Sequence, residues 1–166
     1  MASKKQSYSL GHNFEDEVAS ALRVVLEPDY VFQNVLFGTY PIYETDILIV
    51  KDSKVLLIEC KDYSRRFNST RPNEMYAGRY REKNFLYNYN KKANIFSKLT
   101  NTKAKCIVIA SDKAEHNNPY ILGMRHLASI KTIFNSLDKS EDMTLLTELL
   151  RDSKQKELAH LKGGHI

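Results

Sequence analysis

The stretch Thr45-Asp-Ile-Leu-Ile-Val50, followed closely by Val55-Leu-Leu-Ile-Glu59-Cys-Lys61, decides the fold of this chain. Both runs are apolar and rich in branched side chains, which predicts two buried or half-buried strands. Each run nevertheless carries charge, Asp46 in the first and Glu59 with Lys61 in the second. A buried carboxylate is costly unless it is paired or bound to a metal ion. These three residues are therefore candidates for a functional site.

The polar connector between the two runs, 51–54, has ordinary hairpin length. If Val50 and Val55 close the hairpin, antiparallel pairing places Asp46 opposite Glu59, with β-carbons roughly 5 Å apart. Lys61 falls on the same face as Glu59 because side chains alternate along a strand. A divalent cation between the carboxylates would offset their repulsion. The alternative is a structural salt-bridge cluster at a sheet edge.

Length and composition predict one globular domain. The chain has 166 residues, with 42% hydrophobic and 27% charged side chains. We expect a loosely ordered N-terminus over 1–9, a single domain over 10–152 and a polar tail over 153–166. No apolar run is long enough to span a membrane and no secretory signal is visible, which favours a cytoplasmic protein without membrane partners. The two cysteines, Cys60 and Cys106, are then expected to be reduced thiols.

The order of apolar patterns predicts an α/β fold, a mixed central β-sheet flanked by helices. Asn13 is a candidate cap for a helix over 14–26, in which Glu15 lies beside the apolar stripe. A small hairpin is predicted around 73–80, in a long polar stretch. The other predicted strands cover 30–37, 104–110 and 124–127, and the other predicted helices cover 84–99, 129–137 and 141–151.

Charge is distributed unevenly along the chain. Residues 1–60 carry 5 lysines and arginines against 9 acids, whereas residues 61–105 carry 12 against 3. Eight aromatic residues lie in the same basic block. Cations interleaved with aromatic rings suit a phosphate backbone with stackable bases. A basic block that follows an acidic site therefore favours a nucleic-acid partner, although a solvated basic face gives a similar pattern.

An acid on a helix, an acid on a strand and a Glu-x-Lys motif on the next strand, in this order, resemble the PD-(D/E)XK nuclease superfamily. The segments Gly11-x-x-x-Glu15, Glu44-Thr-Asp46 and Glu59-Cys-Lys61-Asp-Tyr-Ser64, followed by a basic loop and a helix led by Asn84, resemble the nuclease-related domain (NERD) family. The resemblance covers roughly residues 10–135. It implies a restriction-endonuclease-like core and a metal-dependent DNA nuclease.

The resemblance also implies roles for individual residues. Asp46, Glu59 and the backbone carbonyl of Cys60 would hold Mg²⁺ or Mn²⁺, which take hard oxygen ligands. Glu15 would add a ligand or orient one through water. Lys61 would position the attacking water or stabilise the charge that develops on the phosphate. The catalytic set is then Asp46, Glu59, Lys61 and Glu15.

Five cations are candidates for contacts to the phosphate backbone that position the substrate without recognising its sequence: Arg65, Arg66, Arg71, Lys91 and Lys92. For each of them the alternative is a role in solubility alone.

The chain departs from the family pattern at two places. Arg65 and Arg66 stand where the family usually has a glycine, and Asn84-Phe-Leu-Tyr-Asn88 replaces the common Asn-Pro-x-x-Gln, so that Asn88 is a candidate for the place of the glutamine. Two alternatives to a nuclease with DNA as its partner stay open, the first of them because of the altered segment 84–88. One is a nucleic-acid-binding module without turnover. The other is a junction resolvase acting as a homodimer. The chain could also be one component of a larger complex.

Overall fold

The computed structural model describes the backbone of residues 2–62, 78–111 and 121–152, and the side chains of residues 14–62, 87–111 and 121–152. The helices are α1 (Ala2–Leu26), α2 (Gly78–Thr100) and α3 (Ile130–Asn135), with a further helix, α4, over 144–152. The strands are β1 (Tyr30–Phe37), β2 (Tyr43–Lys51), β3 (Lys54–Lys61), β4 (Lys105–Ala110) and β5 (Ile121–Gly123). A 3₁₀ helix, Met124–Ser129, connects β5 to α3.

The five strands form one mixed sheet in the order β1-β2-β3-β4-β5. The pairs β1–β2 and β2–β3 are antiparallel, whereas β3–β4 and β4–β5 are parallel. A parallel connection needs a crossover, and α2 lies in the one from β3 to β4. This architecture confirms the predicted α/β fold with a mixed sheet flanked by helices, and it is consistent with a restriction-endonuclease-like core.

Both faces of the sheet are covered, which explains why the central strands are apolar at nearly every position. We call the two sides the α1 face and the α2 face after the helix packed on each. The side chains that define the α1 face are Ile47, Ile49, Leu56 and Ile58, packed with α1 and α3. Those that define the α2 face are Leu48, Val50, Val55 and Leu57, packed with α2 and α4. Burial of each such side chain contributes roughly 1.5–3 kcal/mol.

The β2–β3 hairpin has the predicted register, because Val50 pairs with Val55. The connector is shorter than predicted, since Lys51 and Lys54 also pair. Only Asp52 and Ser53 form the turn, with φ of 51° and 62°. Two left-handed residues are the signature of the tight turn that matches the twist of paired strands. Each strand gains one residue, so the parity of the pairing is unchanged.

Three predicted segments differ in the structure. Helix α1 begins at Ala2, so Asn13 lies inside the helix and is not its cap; no proline interrupts this segment. Helix α2 begins at Gly78 and not at 84, so the end of the hairpin predicted over 73–80 is helical, while 73–77 lie outside the described residues. The strand predicted over 124–127 is a 3₁₀ helix, and the short strand precedes it. Pairing with β4, rather than the local pattern, selects that strand.

Helices α1 and α2 have 25 and 23 residues, lengths that would be sufficient to cross a bilayer. Within the described part of the chain, however, no helix is apolar enough for this. Val18 and Leu22 of α1 and Ala93 and Phe96 of α2 are buried, so one stripe of each helix packs on the sheet. The predicted domain boundaries stay a prediction.

The turn at Ser53 generates a test of the hairpin geometry. A left-handed conformation is costly for a residue with a β-carbon and free of that cost for glycine. We therefore expect Ser53→Gly to raise the free energy of unfolding by about 0.5–1 kcal/mol, measured by urea denaturation. The matched control is Ser136→Gly, because Ser136 has φ of −80° and its hydroxyl donates to the Ile133 carbonyl. That variant should be destabilised. Equal shifts in both variants would contradict the assignment.

Candidate active site

The acids predicted from sequence lie at the end of the β2–β3 hairpin away from its turn. In the ladder of these strands Ile47 pairs with Ile58, so Asp46 and Glu59 follow directly at the site. The backbone N–H of Cys60 donates to Oδ2 of Asp46 at 2.8 Å. A side-chain oxygen thus satisfies a β3 backbone donor, which holds the Asp46 carboxylate between the two strands.

The pairing of β1 with β2 is also irregular at this point. Gln33 pairs with Ile47 and Val35 pairs with Thr45, and the register leaves Asn34 across from Asp46. Asn34 has φ of 54°, in the left-handed region where asparagine is tolerated better than most residues. Asp46 therefore occupies an irregular point in the sheet on the β1 side as well as the β3 side.

Glu59 is a buried acid, only 5% exposed. By alternation from Leu57 it lies on the α2 face, and its backbone pairs with Val108 of β4. Burial raises the pKa of Glu59 to about 7, and the neighbouring Asp46 carboxylate adds to that rise while Lys92 opposes it. Both acids are thus close enough to repel one another, as expected for opposed positions on paired strands.

Lys92 of α2 supplies the positive charge that Glu59 contacts. Its Nζ lies 2.7 Å from Oε1 of Glu59 and donates to the backbone carbonyl of Glu44, also at 2.7 Å. The ammonium lies 5.5 Å from the centre of the Tyr89 ring. Sequence reasoning named Lys92 as a phosphate contact, whereas the structure places it on the acid. Lys92 is three residues after Tyr89 and four before Phe96, so it lies on the buried stripe of α2. This spacing indicates that the lysine side chain faces the sheet.

Glu15 is the one acid among Glu15, Asp16 and Glu17 of α1 that is not exposed. Its Oε2 is buried and has no hydrogen-bond partner among the described residues. Burial raises the pKa of Glu15 to about 7, and the carboxylates of Asp46 and Glu44 add to this. The electrostatic interaction with Asp46 places Glu15 at the same end of the sheet as the other acids, as the sequence predicts.

Lys61 and Cys60 end the β3 strand. Lys61 is half-buried and pairs with Ala110 of β4, and its charge lowers the pKa of Glu15. Cys60 packs against the core of the α1 face. Burial, followed by the Asp46 carboxylate, raises the pKa of the Cys60 thiol, which therefore stays protonated and is a poor metal ligand. Its backbone carbonyl, the predicted ligand, is the harder donor.

The donors at this end of the sheet suit Mg²⁺ or Mn²⁺ in kind, because these ions prefer carboxylate and carbonyl oxygens. Oε2 of Glu15 is buried and has no partner in the described part of the chain, and the pKa values of Glu15 and Glu59 are raised. Both features mark acids that a cation would stabilise. Among the described residues, no group of three or more histidine, cysteine or acidic side chains stands ready to hold a metal ion. The types of ligand atom therefore fit the ion, but the described side chains do not by themselves form a complete coordination shell.

The other predicted contacts to nucleic acid are exposed on α2 or lie outside the described residues. Arg65, Arg66 and Arg71 fall in the segment 63–77, which the structure does not describe. Lys91 and Asn88 are exposed on α2. Lys91 lines an open groove with Tyr87 and Lys98, so an aromatic ring and two cations share the outer side of this helix.

Comparison with known families decides the classification. The family model described as nuclease-related domain matches residues 10–122, more than half of the chain. The chain belongs to the nuclease-related domain family. The match includes α1 from residue 10 onward and the three antiparallel strands β1, β2 and β3. It therefore covers Glu15, Asp46, Glu59 and Lys61. A comparison with curated proteins found no match.

The raised pKa of Glu15 predicts a pH dependence of stability. Its pKa is about 7 in the folded chain against an ordinary 4.5, so the folded state keeps a proton that the unfolded state releases. Stability of the metal-free protein should therefore fall as the pH rises from about 4.5 to about 7. Glu15→Gln, which mimics the neutral acid, should reduce that fall and raise the melting temperature at about pH 8 by roughly 2–4 °C.

Thermal unfolding in the presence of a chelator, at about pH 5 and about pH 8, measures this effect. The matched control is Glu17→Gln, the same substitution at an exposed position of α1, which should leave the pH dependence as in the native chain. An unchanged pH dependence in Glu15→Gln would show that Oε2 of Glu15 is not desolvated.

Proposed function

We propose that this NERD domain hydrolyses phosphodiester bonds in DNA with the help of Mg²⁺ or Mn²⁺. One observation carries the proposal: the fold brings Asp46, Glu59 and Lys61 to the same end of the β2–β3 hairpin in a chain of a nuclease-related family. Two acids and a lysine at one end of a sheet meet the needs of phosphate chemistry, in which cations must stabilise a charge that grows on phosphate oxygens.

The acids would hold the divalent cation. Asp46 is oriented for this by the hydrogen bond that its Oδ2 accepts from the Cys60 N–H. Glu59 and the Cys60 carbonyl would supply further oxygens, and Glu15 would add one directly or through water. When bound, the ion supplies Lewis acidity at the phosphate and lowers the pKa of a coordinated water.

Lys61 would act on the substrate rather than on the ion. It ends β3 two residues beyond Glu59, and its charge acts on Glu15. An ammonium has three donors and a compact charge, so it can bind a phosphate oxygen or orient a water molecule. In this position its role is to stabilise the negative charge that develops on the reacting phosphate. Removal of the side chain should therefore lower the rate of cleavage.

The distribution of charge suits a DNA substrate. A pocket of acids alone would repel a polyanion. The segment 61–105, which follows the acids in the sequence, carries 12 lysines and arginines against 3 acids and so supplies compensating positive charge. Lys91 on α2 and the arginines Arg65, Arg66 and Arg71 are the candidates for contacts to the phosphate backbone. Such contacts position DNA without recognising its sequence.

Cleavage of supercoiled plasmid with Mg²⁺ or Mn²⁺ tests the proposal. We expect nicked or linear products from the native protein and a rate about 100- to 1,000-fold lower for Lys61→Ala and for Asp46→Asn, since each removes charge at the reacting centre. Asp46→Asn keeps an oxygen for the Cys60 N–H and so preserves local structure. Lys139→Ala, an exposed lysine on the segment before α4, is the matched control and should cleave as the native protein does. Undiminished cleavage by both site variants would exclude this assignment.

A second candidate function is a DNA-binding module without turnover. The ion pair of Lys92 with Glu59 favours it, because the acid already has a cation partner. The two functions differ in metal binding. Under the second one, calorimetry should find no stoichiometric Mn²⁺ binding, while DNA binding should weaken steeply with salt as counterion release requires.

A further inference from the structure

We propose that Lys92 is an internal counter-cation of the candidate active site: its ammonium takes the position at Glu59 that a divalent cation needs, and metal binding must displace it. This inference rests on the proposed metal-dependent function. It adds a residue of α2 to a site otherwise built from α1, β2 and β3, and it assigns to that residue control over metal affinity.

The contacts of Lys92 are those of a bound cation. Its Nζ is within 2.7 Å of Oε1 of Glu59 and of the Glu44 carbonyl oxygen, so two of its three donors are used. The side chain is 18% exposed and that of Glu59 is 6% exposed. The ammonium is thus held by oxygens from both strands that carry the acids, largely out of solvent.

The oxygens that accept hydrogen bonds from Lys92 are of the kind that coordinate Mg²⁺ or Mn²⁺. One belongs to a carboxylate and the other to a backbone carbonyl, and both ions prefer such hard oxygen ligands. Two cations a few ångström apart in a partly buried site repel strongly. An ammonium on Oε1 of Glu59 and a divalent ion on the same carboxylate therefore exclude each other. Lys92 stabilises the metal-free acids and raises the concentration of metal needed to fill the site.

Displacement also gives the lysine a second place to bind. The stem of Lys92 has four flexible carbons, so the ammonium can leave Glu59 without movement of α2. It then stays beside the acids, where a phosphate of the substrate must lie for hydrolysis. Metal binding would release a phosphate donor, and DNA binding would in turn favour the displaced lysine. By reciprocity, the metal and the substrate each tighten the binding of the other.

Calorimetric titration of Mn²⁺ into the full chain without DNA tests the competition directly. We expect Lys92→Met and Lys92→Gln to bind Mn²⁺ roughly tenfold or more tightly than the native protein, because the ion no longer displaces a charge-assisted hydrogen bond. The glutamine variant guards against a folding defect of the methionine variant. The matched control is Lys98→Met, which removes the same charge from an exposed position of α2. Its Mn²⁺ affinity should stay within about twofold of native.

The outcomes separate this inference from the function on which it rests. Native affinity in both Lys92 variants, with Mn²⁺ binding intact, would overturn the counter-cation and leave the metal-dependent nuclease standing. An equal gain in Lys98→Met would also overturn it, because bulk charge would then account for the effect. Absence of Mn²⁺ binding in all four proteins would overturn the metal site itself. Binding confined to the two Lys92 variants would support the inference in its strongest form.

Discussion

The register of the β2–β3 hairpin is the constraint on which the candidate site depends. Side chains alternate between the two faces of a strand, so a slip of β3 by one residue would turn Glu59 from the α2 face, where it meets Lys92, to the α1 face. The Val50–Val55 pair and the left-handed turn at 52–53 fix this register. Ser140 reinforces the turn by donating its backbone N–H to the Ser53 carbonyl at 2.8 Å. The end of the hairpin distant from the acids thus determines where the acids point.

The candidate site keeps acids in places where burial costs stability. Glu59 is buried beside Asp46, and Glu15 has one oxygen buried without a partner in the described structure. A core of this size could hold apolar side chains at these positions with less cost. Because Glu15 and Glu59 cost stability, their presence in a nuclease-related domain supports the proposed role in metal binding and catalysis. The ion pair with Lys92 offsets part of the cost of burying Glu59.

The sequence was sufficient for the features that depend on local pattern. Strand β1 begins and ends where the alternation predicts, the hairpin parity is correct, and Glu15 is the acid of α1 that lies against the sheet. Features that depend on tertiary contact were missed. Lys92 meets Glu59 across 33 positions of the chain, and charge alone made it look like a solvent-facing phosphate contact. Strand β5 has only three residues and forms because it pairs with β4. The hydrophobic pattern of so short a segment cannot predict that pairing.

The irregular pairing around Asp46 has a mechanical consequence. A regular strand is held by its neighbours at every second residue, so a shift of one position strains the whole ladder. Asp46 lies across from left-handed Asn34 on one side, and on the other it is joined to β3 through its carboxylate and the Cys60 N–H. Asp46 thus lies outside both ladders, whereas the adjacent Ile47 pairs with Gln33 and with Ile58. The sheet pairing is interrupted directly beside the acids, at the place where the phosphate of the proposed substrate would bind.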